Sequence, residues 1–222
     1  MKLSISQPTL FPWLGFFSII KNSDAFVFLD NVKFEKRGWQ MRNRLKTITD
    51  ENELWINIPT TLDKSSTLIT DVIIDNSQKW QKKHLSTFQR LYGDSYHEIK
   101  FLKEFYDQKW EKLNEFNIEF ITKCCNFLKI DTPLYRASKF NVDGKKSELL
   151  LNICKKFNAT EYISTIGSKE YLDEELFKQA NIPIIYYEYE HPTYKQKGKI
   201  FLEKMSILDL LFNEKNNSSK VF

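Results

Sequence analysis

A cluster of positive charge lies in the first quarter of the chain, where KFEKRGWQMRNRLK (residues 33–46) holds six Lys or Arg and a single Glu around a tryptophan. Guanidinium groups bind phosphate oxygens in pairs, and an indole can stack on a base or a sugar ring. On an extended segment, Arg42 and Arg44 share one face and Asn43 lies on the other. The cluster therefore predicts a site for a phosphate-bearing ligand, and the alternative is a solvated charge run. The residues assigned to this site are Lys36, Arg37, Trp39, Arg42, Asn43 and Arg44.

A single histidine, His191, lies where a general base is expected. It follows the apolar segment 182–190, which has the composition of a strand, and it precedes a proline, so it lies at a strand end. Histidine is the side chain used most often to accept a proton in catalysis. Tyr194 and Gln196 are near enough in sequence to share its site. The alternative is a structural role, which we assign to the other two histidines.

Gln7 and Asp209 complete the candidate catalytic set. Gln7 carries a donor and an acceptor at the end of the first predicted strand, and ligands of open α/β sheets bind where strands end. Its alternative role is to hold the turn that follows. Asp209 lies inside the apolar helix SILDLLFN. A buried carboxylate is costly unless it is paired, so we expect its partner to be His191 or an arginine of residues 33–46.

Several signatures are absent from the sequence. It contains neither a P-loop nor a glycine-rich dinucleotide fingerprint, and no Cys or His spacing typical of a metal site. No metal and no cofactor are therefore predicted. The cysteines, Cys124, Cys125 and Cys154, are odd in number and lie on apolar positions of predicted helices, which indicates buried thiols. Gly167 and Ser168 begin a predicted helix, where free amides suit a phosphate; a simple N-cap is the alternative.

The composition indicates a globular protein. Of the 222 residues, 41% are hydrophobic and 15% aromatic, which is enough for a core, and the net charge of +4 is too small for general nucleic-acid binding. Residues 1–213 are predicted to form one domain, with 76–135 as a candidate helical subdomain and 214–222 as a polar tail. No apolar stretch is long enough to span a membrane, and the first residues do not resemble a signal peptide. A cytoplasmic protein without membrane insertion is expected.

Hydrophobic periodicity places strands and helices along the chain. Branched and aromatic runs predict strands, at residues 2–6, 24–30, 53–60, 69–75, 161–166 and 182–190. Spacings of three and four predict helices, over residues 13–21, 77–92, 107–128, 147–157, 169–180 and 206–212. We assign Ser77, Ser168 and Ser206 as N-caps. The order predicts an α/β fold in which a mixed β-sheet is flanked by helices, with a helical segment in the middle of the chain.

Taken in order, five segments resemble the WbqC-like family of bacterial proteins: QPTLFPWLGFF, DAFVFLDNVKFEKRGWQMRNRLK, SKEYLD, HPTYKQ and SILDLLFN. The resemblance runs from residue 2 to about residue 213. Leu10 stands where the family pattern has tyrosine, so any role of that hydroxyl is lost, and the glycine before the Tyr-Leu-Asp piece is displaced. The positions that match the family pattern are Gln7, Trp13, Asp30, Lys36, Arg37, Arg42, Asn43, Arg44, His191, Tyr194, Gln196 and Asp209.

The resemblance implies a role in the synthesis of surface polysaccharides, including the O-antigen of lipopolysaccharide. The leading hypothesis is an acyl- or aminoacyl-transferase, with glycine transfer as one form, that makes an amide on the amino group of a nucleotide-linked deoxyamino sugar. His191 would accept the proton of the amine, Asp209 would fix its tautomer, and Gln7 would donate to the developing oxyanion. The acyl donor is not identified, and a charged tRNA fits the same basic cluster. The residues assigned to substrate binding are Trp13, Asp30, Lys36, Arg37, Trp39, Arg42, Asn43, Arg44, Tyr194 and Gln196.

Two alternatives stay open at the level of the sequence. The first is a non-catalytic module that binds RNA or another phosphate ligand and leaves His191 idle. The second is a papain-like fold, indicated by the order Gln, Trp-led helix, His and Asp, although no cysteine stands near Phe11. A scaffold without a site does not explain a carboxylate at Asp209, and no oligomeric state is predicted. The leading hypothesis requires three segments to meet in one cleft, namely residues 7–13, 36–44 and 191–209.

Overall fold

The computed structural model describes residues 1–49, 52–61 and 67–221. The strands in these ranges are β1 (Lys2–Ser6), β2 (Ala25–Phe28), β3 (Arg42–Lys46), β4 (Glu53–Asn57), β5 (Thr60–Thr61), β6 (Ile73–Ile74), β7 (Leu134–Arg136), β8 (Glu161–Thr165) and β9 (Ile184–Tyr187). The helices are α1 (Leu14–Lys21), α2 (Trp80–Tyr92), α3 (Lys100–Asp107), α4 (Leu113–Leu128), α5 (Ser147–Lys156), α6 (Glu174–Gln179), α7 (Ile207–Glu214) and α8 (Ser218–Val221).

Five strands form one parallel sheet in the order β7-β2-β1-β8-β9. The chain starts at the centre of the sheet, adds β2 and β7 on one side, and then adds β8 and β9 on the other. Parallel neighbours need a crossover connection, which helices supply here. This is the doubly wound order, in which the winding reverses between β1 and β8. The predicted α/β class is confirmed, and the antiparallel strands form two small sheets of their own, β3 with β4 and β5 with β6.

Helices cover both faces of the parallel sheet. On β2, Phe26 and Phe28 point to one face and pack into a core shared with α1, α4 and α7. Ala25 and Val27 point to the opposite face and pack into a second core with α5 and α6. This alternation follows from the two-residue period of a strand. Burial on both faces explains why β2 is apolar throughout.

The helical middle of the chain packs against the sheet through aromatic rings. Phe116 and Phe120 of α4 contact Phe11, with ring centroids 5.8 and 4.7 Å apart. Trp80 of α2 contacts Phe116 at 5.4 Å. These rings belong to the same core as the phenylalanines of β2. The candidate helical subdomain, residues 76–135, therefore shares a continuous core with the sheet.

Two of the three predicted N-caps are wrong. The hydroxyl of Ser77 donates to the carboxylate of Asp75 at 2.6 Å, and α2 begins only after it. Ser168 lies in a 3-10 turn, and the N-cap of α6 is Asp173, whose carboxylate accepts an amide of the first turn at 3.1 Å. An aspartate at this position also suits the helix dipole. Ser206 is the N-cap of α7, as predicted.

The stretch before α4 is extended and not helical. The predicted helix over 107–128 begins only at Leu113, because the amide of Ile74 bonds to the carbonyl of Glu111 at 2.8 Å. The predicted strand over 69–75 is reduced to β6, which follows a 3-10 turn. Pairing between these two distant segments outweighs the local helical spacing.

The C-terminal residues pack back onto the protein. α7 is followed by a 3-10 turn, Lys215–Asn217, and by α8. Ser218 is buried, and its hydroxyl donates to the carbonyl of Lys215 at 2.6 Å. The segment predicted as a polar tail, 214–222, is thus helical as far as Val221, and Phe222 lies outside the described residues. Over the described ranges, none of the helices has the length and apolar character needed to cross a membrane.

Candidate functional site

The ends of the parallel strands bring three predicted site residues to one edge of the sheet. Gln7 directly follows β1, Asp30 lies two residues after β2, and His191 lies four residues after β9. Because parallel strands all end on the same side, these residues share one edge, which we call the carboxyl edge. Doubly wound sheets bind their ligands at this edge, beside the point where the winding reverses. That point lies between β1 and β8, next to Gln7.

The side chain of Gln7 joins the end of β1 to the basic segment, residues 33–46. Its Oε1 accepts from Nε2 of Gln40. Close by, the amide of Leu10 donates to the carbonyl of Trp39 at 2.8 Å. The Nε2 of Gln7 donates to no group in the part of the chain that the structure describes. The carboxyl edge therefore has an available N–H donor with the basic segment directly beside it.

Asn43 holds the turn that follows β1. Phe11 has a positive φ of 44° in this turn, which is uncommon for a bulky residue. The Nδ2 of Asn43 donates to the carbonyls of Leu10 and Phe11, each at 2.8 Å, and its Oδ1 accepts from the amide of Arg44 at 2.7 Å. Asn43 is buried. Its amide group is therefore occupied within the protein, and it contributes to the site by fixing the turn.

The indole of Trp13 supports the imidazole of His191. A Cβ atom on Gly15 would lie 2.2 Å from Cη2 of this indole, so the ring packs directly against the glycine in the first turn of α1. His191 is stacked on the indole, with 15° between the ring planes and 6.5 Å between the centroids. Tyr189 meets the same indole edge-on at 5.2 Å. Glycine at position 15 leaves the space that this arrangement needs.

A backbone carbonyl sets the tautomer of His191. Its Nδ1 lies 3.0 Å from the carbonyl oxygen of Pro192. Since a carbonyl oxygen only accepts, Nδ1 carries the proton, and the neutral ring keeps Nε2 unprotonated. The half-buried ring also contacts the rings of Tyr194 at 6.2 Å and Phe201 at 5.6 Å. An imidazole held in this state can accept a proton at Nε2.

The carboxylate of Asp209 has partners other than those predicted. It accepts from the hydroxyls of Tyr92 and Tyr194 and from Nε2 of Gln196, each at 2.8 Å. Within the described ranges neither His191 nor an arginine bonds to it, so the expected direct pairing is wrong. The reason is that the backbone already engages Nδ1 of His191, while Asp209 is buried on α7. Burial raises the pKa of Asp209, although its three hydrogen bonds act in the opposite direction.

Lys46, the last residue of the basic segment, is buried near Asp209. Its Nζ donates to the carbonyls of Lys197 and Ile200. The positive charge of Lys46 opposes the rise in the pKa of Asp209. A buried ammonium group needs such acceptors and a nearby counter-charge. Lys46 thus stabilises the fold at this point, a role for which a lysine at the end of a strand gives no signal in the sequence.

Backbone hydrogen bonds join the three segments that the leading hypothesis requires to meet. The amide of Ser206 donates to the carbonyl of Arg44 at 3.1 Å, and the amide of Ile207 donates to the carbonyl of Pro12 at 2.8 Å. The bond between Leu10 and the basic segment completes the junction. The segments brought together in this way are residues 7–13, 36–44 and 191–209.

The two arginines of β3 lie among aromatic rings. They occupy one face of an extended strand, as predicted, and Arg44 is paired in register with Trp55 of β4. The guanidinium of Arg42 lies 4.5 Å above the ring of Trp55. Arg44 donates to the carboxylate of Glu53 at 2.8 Å and lies 5.6 Å from the ring of Trp39. Only the pairing of β3 with β4 reveals Trp55 as a member of this group.

Lys36 and Arg37 lie in the loop that leads into β3. Both side chains are exposed, and neither forms an ion pair with a residue in the described ranges. Arg37 has a positive φ of 65°, a region that favours glycine. The loop therefore presents two available cations in a defined backbone conformation.

Asp30 is a buried residue whose hydrogen bonds hold two loops of the carboxyl edge together. Its carboxylate accepts from the amide and the hydroxyl of Ser138, at 2.8 and 2.7 Å, and from Nδ2 of Asn114 at 3.2 Å. Asp30 is fully buried. It therefore joins the end of β2 to the turn after β7, and its predicted contact with a substrate stays a prediction.

Buried amide groups lie beneath the same edge, and they gave no signal in the sequence. Nδ2 of Asn117 donates to the carbonyls of Pro8 and Gln40, at 3.2 and 2.8 Å. The side-chain oxygens of Asn114, Asn117 and Gln40 are buried and have no hydrogen-bond partner among the described residues. Asn117 therefore connects α4 to the turn after β1, and Asn114 connects the same helix to Asp30. Helical spacing places Asn114 and Asn117 on α4 but cannot show what they face.

The turn at Gly167 and Ser168 does not begin a helix. It is a 3-10 turn, Ile166–Glu170, so the predicted phosphate seat at a helix N-terminus is wrong. The hydroxyl of Ser168 is buried, and it donates to the carbonyl of Thr165 and contacts the hydroxyl of Ser164, both at 2.7 Å. Ser168 therefore closes the turn after β8.

The three cysteines are free and buried, with Cys124 and Cys125 on α4 and Cys154 on α5. Burial raises the pKa of Cys125 and of Cys154 to about 12, so these thiols are protonated at neutral pH. None of the three belongs to the turn around Phe11, where a papain-like mechanism needs its nucleophile. Among the residues that the structure describes, no group of three or more His, Cys, Asp or Glu is arranged to hold a metal ion.

The fold is that of a doubly wound α/β protein with cationic and aromatic side chains beside its carboxyl edge. The model of the WbqC-like protein family matches residues 7–221. A protein of Mycobacterium tuberculosis (strain ATCC 25618 / H37Rv), described as "Uncharacterized protein Rv1507c", is 32% identical over 218 residues, which cover 96% of this chain and 93% of that protein. No solved structure matches the chain. The chain belongs to the WbqC-like protein family, as the resemblance of its sequence indicated.

Proposed function

We propose that this WbqC-like protein is a transferase that forms an amide on the amino group of a nucleotide-linked deoxyamino sugar, in the synthesis of a surface polysaccharide such as the O-antigen of lipopolysaccharide. One observation carries the proposal: Gln7, His191 and the basic segment adjoin the carboxyl edge of a doubly wound sheet. Proteins of this architecture bind their ligands at that edge. The family resemblance supports the class of sugar, and the geometry supports the roles of the residues.

In the proposed reaction, the sugar nitrogen attacks an activated acyl carbon. The C–N bond forms, the bond from that carbon to its leaving group breaks, and the amine proton passes by way of Nε2 of His191 to the leaving group. The tautomer held by Pro192 leaves Nε2 open to accept this proton. The indole of Trp13 fixes the plane of the imidazole. The available Nε2 of Gln7 donates to the oxyanion that develops on the acyl group.

The diphosphate of the sugar nucleotide is assigned to Lys36 and Arg37. Both are exposed cations beside the carboxyl edge, and phosphate oxygens accept strongly from such groups. Arg44 is already paired with Glu53 at 2.8 Å, so it contributes less of its charge to a ligand. The exposed loop supplies most of the positive charge that the ligand meets.

Asp209 has a positioning role in this proposal. It binds the hydroxyl of Tyr194 at 2.8 Å, and the ring of Tyr194 contacts His191 at 6.2 Å. Gln196, predicted to contact the substrate, is held by the same carboxylate at 2.8 Å. The carboxylate thus acts on His191 through the ring beside it and not through its Nδ1.

The first experiment is a thermal-shift panel of nucleotide-linked amino sugars against the corresponding free nucleotides. A ligand at about 100 times its Kd should raise Tm by roughly 5–10 °C, because it binds only the folded state. Product formation by mass spectrometry then compares His191→Asn with His97→Asn, which alters an exposed histidine outside the site. The first should lower turnover by about 10²–10⁴-fold with little change in Kd, and the second should change neither.

Three outcomes would remove the proposal. One is that no nucleotide-linked sugar raises Tm. Another is that His191→Asn keeps full turnover, since the base would then lie elsewhere. The last is binding without product in the wild-type protein under all donors tried, which is what the non-catalytic binding module predicts.

A further inference from the structure

Two exposed tryptophans lie in contact on the surface of the hairpin formed by β3 and β4 and the loop before it. Trp39 is 49% exposed and Trp55 is 46% exposed. Their ring centroids are 5.6 Å apart, with 33° between the planes. Single exposed aromatic residues are ordinary, whereas two exposed indoles in contact offer a flat surface on which planar groups can stack. We call these two residues the indole pair.

Positive charge surrounds the indole pair. The guanidinium of Arg42 lies 4.5 Å above Trp55, and Lys36 and Arg37 are exposed in the loop directly before Trp39. The carboxylate of Glu53 on β4 is neutralised by its ion pair with Arg44. A neutral sugar stacks on an indole without needing these cations. A ligand whose flat rings are joined by negative charges uses both the indoles and the cations. The chemistry therefore favours a polynucleotide with unpaired bases.

We propose that the indole pair binds unpaired nucleotides of an RNA, with a phosphate on Arg42, and that this RNA carries the acyl group for amide formation. Proteins that bind single strands combine a cationic surface with aromatic side chains on which successive bases stack. The site for RNA is independent of the proposed function. The identification of the RNA as acyl donor rests on it.

The indole pair adjoins the carboxyl edge. The carbonyl of Trp39 accepts from Leu10 in the turn after β1, and the carbonyl of Arg44 accepts from Ser206 in the segment after His191. An RNA end bound on the pair thus lies beside both parts of the proposed catalytic site. An ester on the terminal ribose is already activated. When the C–N bond forms, the ester C–O bond breaks, and the amine proton passes by way of His191 to the ribose oxygen.

The test for RNA binding is fluorescence anisotropy with a labelled single-stranded RNA of about eight nucleotides, a length within the range that such sites cover. Trp55→Ala should weaken binding by about 5- to 150-fold, and Trp55→Phe should recover part of the loss because a phenyl ring also stacks. The matched control is Tyr171→Ala, which removes an aromatic ring that is 70% exposed elsewhere on the chain and should change nothing. A duplex of the same sequence should bind more weakly, since its bases are already stacked.

The salt dependence tests the phosphate contacts separately. For single strands, log K falls with log salt by about 0.7 for each phosphate that is neutralised. Arg42→Ala should therefore reduce the magnitude of this slope by about 0.7. An unchanged slope would remove Arg42 from the site.

The outcomes also separate this inference from the proposed function. Trp55→Ala should keep its affinity for the nucleotide-linked sugar and its transfer from a small soluble ester, while it loses transfer from an acylated RNA. Equal affinity for single strand and duplex, or unchanged RNA affinity in Trp55→Ala, overturns the RNA site. The wild-type protein could instead bind a neutral oligosaccharide or the nucleotide-linked sugar in a way that Trp55→Ala abolishes. That result would assign the indole pair to the sugar ligand and would also overturn the RNA site. RNA binding with transfer only from other donors overturns the donor role alone.

Discussion

The substitution Gly15→Ala should lower the stability of the protein, although replacing glycine by alanine in a helix usually raises it. Alanine favours a helix over glycine by about 0.5–1 kcal/mol, so the change in the first turn of α1 would ordinarily stabilise the protein. Here the new methyl group would lie 2.2 Å from Cη2 of Trp13 and 2.5 Å from two more ring carbons. Ordinary contacts of a Cβ atom begin at 3.4 Å. The indole, which is partly buried against the core, must therefore move by about 1 Å, towards side chains that leave little free space.

Overpacking of this kind costs about 1–3 kcal/mol, which exceeds the gain in helix propensity. The net result should be a loss of about 0.5–2 kcal/mol, or a fall in Tm of roughly 1–8 °C for a chain of this size. The imidazole of His191 is stacked on the same indole and should move with it. In the proposed reaction His191 is the base, and a displacement of about 1 Å at such a group can lower the rate about 100-fold. Turnover in the proposed reaction should therefore fall by up to about 100-fold, although the loss of stability is small.

The matched control is Gly167→Ala. No atom lies within 4 Å of a Cβ built at Gly167, and its φ is not in the positive region. This variant should be neutral or slightly more stable. Thermal melts of both variants, together with the tryptophan emission spectrum, decide the matter. A Gly15→Ala protein that melts at or above the wild-type Tm with an unchanged spectrum would refute the packing of Trp13 on Gly15.

Two further predictions concern the buried polar groups. Asp209→Ala removes the acceptor of three donors, of which that of Tyr92 is buried, and the counter-charge of Lys46. Its free energy of unfolding should fall by about 3–5 kcal/mol in urea melts, against less than about 0.5 kcal/mol for Asp107→Asn at an exposed position; equal losses would contradict the network. Burial lowers the pKa of His84 from 6.5 to about 4. The unfolded chain therefore binds more protons between these pH values, and stability is lost as the pH falls through that window, by about 2 kcal/mol near pH 5. His84→Gln should flatten this dependence and His97→Gln should not; a His84→Gln profile as steep as that of the wild type would show that another group is responsible.

The elements that the sequence predicts well are those in which local pattern and tertiary packing agree. The strand predicted over 2–6 is β1, and the helix predicted after Ser206 is α7 with that cap. The helix predicted over 107–128 starts late because its first residues pair with Ile74. Helical spacing cannot reveal a strand-like contact with a segment more than thirty residues away, so such boundaries need the folded structure.

In the candidate site too, some residues could be placed from the sequence and others only from the structure. The places of Gln7 and His191 follow from the strands that precede them, since strand ends of a parallel sheet share one edge. The partners of Asp209 do not follow, because Tyr92 lies 117 residues away in the sequence and has no pattern that marks it as a donor. Trp55 is likewise hidden until the register of β3 with β4 is known.

The buried carboxylate of Asp209 serves to orient neighbouring side chains and not to raise the stability of the fold. Burial of the carboxylate costs desolvation free energy, and the same burial raises the pKa of Asp209. An apolar side chain at this place in α7 would avoid that cost. The carboxylate instead joins Tyr92 of α2 to Tyr194 and Gln196 of the segment after β9. Non-polar contacts do not select one rotamer of a tyrosine as strictly as a hydrogen bond of 2.8 Å does. Since the ring of Tyr194 is a neighbour of His191, we infer that the role of Asp209 is to hold that neighbour in one orientation.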